Sequence, residues 1–291
     1  MFDKIKMDLL NFGLKFISVD EKIVRMFLET KPANINEIVI LPAGKIVMKK
    51  LVNKLQNKKV HGRVYNGLLN GVKVSIIRSL VGCPNCAIAV ECLKRTNAQI
   101  ILRVDFCGGI EKENYQMKVG DVLIPKIAYC GDGTSPHYIK NNSKLLDQLS
   151  YVASPISKTH ELKSGNQNVY IAKPNEELKK ILLSEGNSNI VKVKEGDFWT
   201  TDALFCETND FITSLKSINV RGIDMENSIL FLLGELYNLK TASILSVSDL
   251  PGNEKYDMFN SNSIHPDLEK GINIAINTLI KALNKIKSIL I

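Results

Sequence analysis

The sequence Gly222-Ile223-Asp224-Met225-Glu226-Asn227-Ser228 sets two carboxylates around a methionine, directly before an apolar helical segment at 229–239. Acidic residues in the first turn of a helix gain from its dipole, so simple capping explains them about as well as a functional role does. Two other segments are predicted to be buried strands that include charged residues. The segment 242–249 ends on an acid, and the segment 100–109 carries Arg103. Three charged ends of strands or helices predict one shared pocket.

Helical and strand patterns alternate along the chain, which predicts an α/β fold. The segment 64–80 predicts a hairpin that turns at Asn70-Gly71. We expect one domain over 1–291, with an N-terminal helical extension at 1–34. The segment 141–168 is rich in Ser, Asn and Lys and is predicted to be a mobile surface loop. Further strands are predicted at 38–42, 99–104, 121–127 and 169–172, and helices at 48–55, from Pro84, and at 174–184, 211–215, 229–237 and 268–291.

The composition is that of a globular enzyme. The chain has 291 residues, of which 45% are hydrophobic and 23% charged, so it can bury a sizeable core. No uninterrupted run of 18 apolar residues could span a bilayer and no secretory signal precedes the domain, so we expect a cytoplasmic protein without membrane contact. The net charge is +8, but the lysines are spread along the chain without interleaved aromatics. Nucleic-acid binding is therefore not expected, whereas an anionic substrate fits.

The cysteines are expected to be buried, reduced thiols. Cys83 and Cys86 have the spacing of redox and zinc sites, but a second such pair is missing. The four histidines are scattered without ligand spacing. We therefore predict no metal site.

Short segments in the order and spacing of a known family extend over most of the chain. They are Gly82-Cys83-Pro84-Asn85 before a helix, 103–108 at a strand end, 119–125 and 132–135 as the next strand and loop, Asp224-Met225-Glu226, and Ser248-Asp249. With them the chain resembles the nucleoside phosphorylase family that includes the hexameric purine nucleoside phosphorylases and the uridine phosphorylases. The resemblance implies a single-domain, three-layer α/β/α fold with a central mixed, twisted β-sheet.

The chemistry implied by this resemblance is phosphorolysis. Inorganic phosphate attacks the anomeric carbon of a nucleoside, and ribose 1-phosphate and free base leave; no cofactor other than this co-substrate is implied. An oxocarbenium-like transition state needs an anion below the sugar, a clamp on the ribose hydroxyls and a way to neutralise the departing base. The implied enzyme is a pentosyltransferase of nucleoside salvage that acts on purine nucleosides, with uridine phosphorylase as the alternative.

The resemblance also assigns roles to individual residues. Glu226 would accept hydrogen bonds from the ribose 2'- and 3'-hydroxyls, and Met225 would pack against sugar and base. Asp249 would hydrogen-bond or protonate N7 of a purine; its alternative interpretation is a turn cap. Arg103 would bind phosphate, because its planar fork suits phosphate oxygens. The alternative for Arg103 is a strand-end ion pair with Asp105.

The rest of the phosphate site departs from the family pattern. The loop that supplies a second phosphate-binding arginine has Gly44 and Lys45 here, so Lys45 could act only as a point charge. Arg63 is the expected source of the arginine that reaches across the subunit interface. Phe106 replaces a serine or threonine, and Asp105 replaces a glycine and would repel phosphate if it pointed into the site.

The base pocket is expected at Trp199, Leu204 and Phe205, where 198–205 resembles a family strand and loop. An aromatic side chain there can stack on a base; ordinary core packing is the alternative for Trp199. The next segment, 206–210, lacks the glutamine and arginine with which uridine phosphorylases read uracil, which favours a purine. The helix at 88–91, by contrast, is more similar to the corresponding helix of the uridine phosphorylases.

Three functions therefore stay open. The first is a nucleoside phosphorylase with a remodelled phosphate site. The second is a nucleoside hydrolase of the same fold, and the third is a non-catalytic nucleoside-binding homologue. The family further implies a homohexamer, a trimer of dimers whose sites are completed by a neighbouring subunit.

Overall fold

The computed structural model describes residues 17–112, 115–156, 168–187, 193–260 and 262–290. Within these ranges, eleven strands form one mixed sheet, and helices pack on both of its faces. The predicted α/β fold with a central mixed sheet is confirmed. None of the helices in these ranges is long and apolar enough to cross a membrane.

The strands are β1 (Ile38–Ile40), β2 (Gln56–His61), β3 (Val64–Leu69), β4 (Val72–Ile77), β5 (Ile100–Gly109), β6 (Val122–Cys130), β7 (Tyr151–Ala153), β8 (Asn168–Ala172), β9 (Lys194–Thr200), β10 (Val220–Asp224) and β11 (Lys240–Asp249). The helices are α1 (Val19–Leu28), α2 (Lys45–Asn53), α3 (Cys83–Leu93), α4 (Ser135–Lys140), α5 (Ser143–Gln148), α6 (Glu176–Asn187), α7 (Asn209–Ser217), α8 (Asn227–Leu236) and α9 (Asp267–Lys287).

The sheet runs in the order β2-β3-β4-β1-β5-β10-β9-β6-β8-β7, and β11 pairs with both β5 and β6. The pairings among β5, β10, β9, β6 and β11 therefore close into a ring, so the middle of the sheet is a distorted barrel. Helices α3 and α8 contribute to the core on one face. Helices α2, α6 and α9 contribute to the core on the other face.

Strands β5 and β11 are buried along nearly their whole length, because both of their faces are covered. They pair in parallel, so that Asp249 at the end of β11 lies beside Gly108 near the end of β5. Strand β10 pairs with β5 in the opposite direction and puts Ile223 beside the same glycine. A Cβ atom at position 108 would come within 2.9 Å of Pro251, which explains the glycine at this junction. The charged strand ends identified in the sequence thus converge.

The hairpin prediction is correct, because β3 and β4 are joined at Asn70 and Gly71, which have φ values of 49° and 75°. These positive values are those of a type I' turn. Helix α2 begins at Lys45, three residues earlier than predicted.

Four strands were not predicted as the structure has them. Strand β2 is exposed along its length and polar, so it has neither an apolar run nor a clean alternation. The others are β7, β9 and β10, and the end of β10 is the Gly222–Asp224 part of the sequence quoted first.

Two predicted segments are only partly described. In the N-terminal extension, α1 is helical, and residues 1–16 lie outside the described ranges. The segment 141–168 contains α5 and β7, and residues 157–167 of the predicted loop lie outside the described ranges.

Candidate active site

Asp224 ends β10 and caps helix α8. Its Oδ2 accepts hydrogen bonds from the backbone N–H groups of Glu226, at 3.0 Å, and Asn227, at 2.8 Å. Its Oδ1 accepts one from Thr200 Oγ1 at 2.8 Å. The capping interpretation therefore holds for Asp224. The Glu226 carboxylate instead turns away from the helix and accepts the backbone N–H of Gly82 at 2.7 Å.

Arg103 is the buried cation that joins these acids, and its side chain is 2% exposed. Its Nη1 donates to Asp224 at 3.1 Å and to Asn227 Oδ1 at 3.3 Å, and its Nη2 donates to Glu226. Its partners are thus Asp224 and Glu226 rather than Asp105. Burial by itself lowers the pKa of Arg103, but the Glu226, Asp224 and Asp105 carboxylates outweigh burial and raise that pKa above its ordinary value. Arg103 therefore stays charged, and its two terminal nitrogens donate to protein carboxylates.

At neutral pH, Glu226 in this cluster is close to its pKa. Burial raises the pKa of Glu226 to about 7, with Arg103 opposing the rise and Asp224 adding to it. Burial also raises the pKa of Asp224. Near neutral pH the two carboxyl groups together therefore hold part of a proton. The cluster of Asp224, Glu226 and Arg103 then carries less negative charge than two full carboxylates beside one guanidinium would.

Asp105 fills the N-terminal end of helix α2. Its Oδ2 accepts hydrogen bonds from the backbone N–H of Ala43, at 2.5 Å, and of Gly44, at 3.0 Å. Its Oδ1 accepts the backbone N–H of Phe106 at 3.0 Å. The side chain is buried, at 4% exposure, and a Cβ atom at Gly44 would lie 2.9 Å from Oδ1. A carboxylate thus occupies the type of helix N-terminus that binds anions in many proteins.

These groups line one cavity of about 240 Å³ at the ends of β5, β10 and β11. It is bounded on the α2 side by Asp105 and Arg103, and on the far side by residues of the β9–α7 connection and by Met258. The sequence-predicted site residues that line it are Gly44, Arg103, Leu204, Met225, Glu226 and Asp249.

Trp199 and Phe205 are not among the described residues that line this cavity. Trp199 is buried, at 2% exposure, and its ring centroid lies 6.0 Å from that of Tyr129 and 6.3 Å from that of Phe211. Its place in the structure is the core, as its alternative interpretation had it. Phe205 is 85% exposed and its ring lies 5.4 Å from that of Phe259.

Lys45 and Arg63 are likewise outside the set of described residues that line the cavity. Lys45 is the exposed first residue of α2. Arg63 donates through Nη1 to the carbonyl oxygen of Phe27 at 2.9 Å. Of the four predicted phosphate ligands, Gly44 and Arg103 therefore line the cavity within one chain, and Lys45 and Arg63 do not.

The far end of the cavity is acidic. Asp249, which is 6% exposed, accepts a hydrogen bond from Ser248 Oγ at 2.6 Å, and burial raises its pKa. Glu207 lines the same end, and burial together with Asp249 and Asp257 raises the pKa of Glu207 to about 8. A carboxyl group that keeps its proton at neutral pH can donate a hydrogen bond or a proton to a bound ligand.

Two cavity residues were missed or misjudged from the sequence. In the sequence, Glu207 belongs to a segment that lacks glutamine and arginine, but an acid just after an aromatic loop is a usable signal. From the sequence alone, Asp105 is a mismatch with the family pattern. Its partners at Ala43 and Gly44 lie 62 and 61 residues away, so the sequence alone could not reveal the helix end that it caps.

All six cysteines are free thiols, and five of them are buried. In the described ranges, no group of three or more His, Cys, Asp or Glu side chains is arranged to hold a metal ion.

The sequence profile of the phosphorylase superfamily matches residues 37–283. A guanosine phosphorylase from Halorubrum lacusprofundi is 25% identical over 214 residues, which cover 72% of this chain and 76% of that protein. A DeoD-type purine nucleoside phosphorylase from Brevibacillus brevis is 29% identical over 180 residues. That alignment covers 62% of this chain and 64% of the relative, a little less than two thirds of its length.

Solved structures share the fold. A uridine phosphorylase from Vibrio fischeri superposes with a TM-score of 0.68 at 22% sequence identity, covering 87% of this chain and 93% of that one.

Proposed function

Because this chain belongs to the phosphorylase superfamily, whose profile covers most of it, we propose that it cleaves the N-glycosidic bond of purine nucleosides. The observation that carries this proposal is the single cavity that brings Glu226, Met225 and Arg103 to one side and Asp249 and Glu207 to the other. The ribosyl group passes from the base to a small nucleophile that enters at the Asp105 end. A role in nucleoside salvage in the cytoplasm belongs to the same proposal.

Glu226 and Met225 hold the ribose in this proposal. Glu226 is fixed by Arg103 and by the Gly82 N–H, so its carboxylate is oriented before the substrate arrives. Preorientation of this kind lowers the barrier, because the protein does not have to reorganise when positive charge develops on the sugar.

The acids at the far end support a purine rather than uracil. A purine that leaves through N9 is neutralised by a proton at N7, and burial raises the pKa of Asp249, the direction that favours its protonated form. A protonated Glu207 would donate a further hydrogen bond to the base. The described residues that line this end include neither a glutamine nor an arginine.

Release of free base tests the proposal. The purified protein is incubated with inosine, adenosine, guanosine and uridine, with and without inorganic phosphate, and the base is quantified by chromatography. We expect purine release, and we expect Asp249→Asn to lower kcat by about 10²–10⁴-fold. Asp132→Asn is the matched control, since Asp132 is a buried acid that accepts the backbone N–H of Thr134 at 2.8 Å and is not among the described residues that line the cavity. Release of uracil alone, or no release of any base, would contradict the proposal.

Self-association, as the resemblance implies, is also proposed. Beside the cavity, Phe205 and Ile264 are 85% and 83% exposed, and Met258 and Phe259 are each 50% exposed. Such a grouping of apolar side chains is typical of a surface covered by another protein. Size-exclusion chromatography with light scattering should give a hexamer, and Phe205→Ser should shift it to smaller species. A monomeric wild-type protein would contradict this proposal.

A further inference from the structure

We infer that the Asp105 carboxylate permanently occupies the anion subsite below the ribose, so that water rather than inorganic phosphate attacks the anomeric carbon. Asp105 is then the general base of a hydrolytic reaction. The inference rests on the proposed cleavage of a nucleoside and names the nucleophile for that same site.

The first argument is the occupancy of the helix end. An anion at a helix N-terminus is held by backbone N–H groups and by the helix dipole. Just before helix α2, the N–H groups of Ala43 and Gly44 both donate to Asp105 Oδ2, which places a carboxylate at this helix end. A phosphate placed there would lose these donors and would meet a buried negative charge, which repels it.

The second argument is the state of Arg103. A phosphate-binding arginine offers two parallel N–H groups. Here Nη1 and Nη2 are directed to Asp224, Asn227 and Glu226, which leaves Nε as the nitrogen without a hydrogen-bond partner in the described structure. To bind phosphate end-on through Nη1 and Nη2, Arg103 would have to give up its bonds to Asp224 and Glu226.

The third argument is the hydrogen-bonding capacity that remains on Asp105. A carboxylate accepts about four hydrogen bonds, two on each oxygen. Oδ2 already accepts two and Oδ1 accepts one, from Phe106 N–H. One acceptor position on Oδ1 is left for a water molecule, and Asp105 shares the cavity wall with Glu226, the residue proposed to hold the ribose.

The reaction balances without a further reactant. The oxygen of water bonds to C1' of the ribose while its proton passes to Asp105. The bond between C1' and N9 breaks, its electron pair leaves with the purine, and Asp249 gives its proton to N7. The products are free ribose and free base, and both carboxyl groups return to their starting states through exchange with solvent.

The sugar product of the wild-type protein is the first test, because it needs no variant. With a purine nucleoside that is cleaved, we expect free ribose, at a rate that does not change when inorganic phosphate is added. Ribose 1-phosphate formed only in the presence of phosphate would overturn the inference while leaving the proposed cleavage intact. If no base is released from any nucleoside, the proposed function fails and the hydrolytic step fails with it.

Variants at position 105 test the residue itself. Asp105→Asn should lower kcat by about 10²–10⁴-fold with little change in KM, whereas damage to the cavity as a whole would raise KM as well. Asp105→Gly should open the subsite, so that calorimetric titration with inorganic phosphate detects binding that the wild-type protein lacks. This titration does not depend on turnover. Phosphate binding to the wild-type protein as tight as to Asp105→Gly would overturn the claim of occupancy.

Asp132→Gly is the matched control for loss of a buried capping carboxylate. Asp132 is 5% exposed and accepts the backbone N–H groups of Thr134 and Ser135 at 2.8 and 2.6 Å, but it is not among the described residues that line the cavity. We expect this variant to lose stability without gaining phosphate binding. Phosphate binding to Asp132→Gly would show that a general loosening of the fold, rather than an opened anion subsite, explains phosphate binding to Asp105→Gly.

Discussion

Replacing Arg103 with methionine removes the only cation that contacts two buried acids in the described structure. The Arg103 side chain is 2% exposed, and those of Asp224 and Glu226 are 0% and 3% exposed. Methionine has a similar length and fills the space, so the main effect is electrostatic. Both carboxylates then lie in the interior without a countercharge, although Asp224 keeps the N–H groups that it caps.

The expected loss of unfolding free energy is about 3–5 kcal/mol, the usual effect of removing one partner of a buried ion pair. The loss should depend on pH. Burial raises the folded-state pKa of Glu226 from 4.5 to about 7, so the folded protein holds a proton that the unfolded chain releases. Stability therefore falls as pH rises from the lower value to the higher one. Without Arg103 the pKa of Glu226 rises further, so the fall extends to higher pH and its total is larger.

Urea unfolding of both proteins at about pH 5 and about pH 8 measures this difference. The variant should be closer to the wild type at the lower pH, where protonation relieves the unpaired acids. Arg25→Met is the control, because Arg25 is 41% exposed and pairs with Glu21 on the surface of α1. It should lose no more than about 0.5 kcal/mol. A loss for Arg103→Met below about 1 kcal/mol, equal at both pH values, would refute the ion-pair argument.

Four further outcomes are expected. Gly131→Ala places a Cβ atom into the indole of Trp199, so the variant should lose about 1–3 kcal/mol and shift the emission of the single tryptophan; an unchanged spectrum would contradict this packing. Of the six thiols, Cys206 alone is exposed, so a thiol reagent should label one site in the native protein and six after unfolding; a second fast site would contradict the burial. Glu207→Gln removes a carboxyl group whose pKa is raised from 4.5 to about 8, so the variant should lose less stability than the wild type when the pH rises between these values in urea titrations; equal slopes would argue against the raised pKa. Glu226→Gln should lower kcat/KM for a ribonucleoside by about 10–100-fold, as expected for a lost charge-assisted hydrogen bond, and less for the 2'-deoxynucleoside; equal losses would argue against contact with the 2'-hydroxyl.

The sequence predicted the parts of the fold that leave a local signal. Strand β5 begins with the apolar run 100–102, and Asn70-Gly71 is a strong hairpin signal, so each could be identified from a few residues. Strand β2 could not, because its exposed polar residues have no pattern that separates a strand from a loop. The family resemblance supplied the rest of the topology, which local patterns do not specify.

The sequence indicates which residues line the candidate site better than it indicates which of these residues bond to each other. The carboxylates around Met225 and the acid at Asp249 stood out because acids at the ends of apolar segments need a reason. Which acid would pair with Arg103 could not be read from spacing, since Glu226 and Asp224 are more than a hundred residues away and Asp105 is only two. Proximity in sequence favoured the wrong partner. Trp199 shows the same limit, because a buried aromatic residue beside a site looks the same in sequence as one inside it.

The parallel pairing of β5 with β11 also bears on how the protein folds. Ile100 pairs with Lys240, so forming this contact closes a very long loop of chain. The conformational entropy of that loop is lost before any stabilising contact forms. Chains dominated by such distant pairings fold slowly. The cavity has walls from both strands, so it cannot exist in a growing chain until nearly all of the sequence has emerged. Truncation before β11 therefore abolishes the site rather than weakening it.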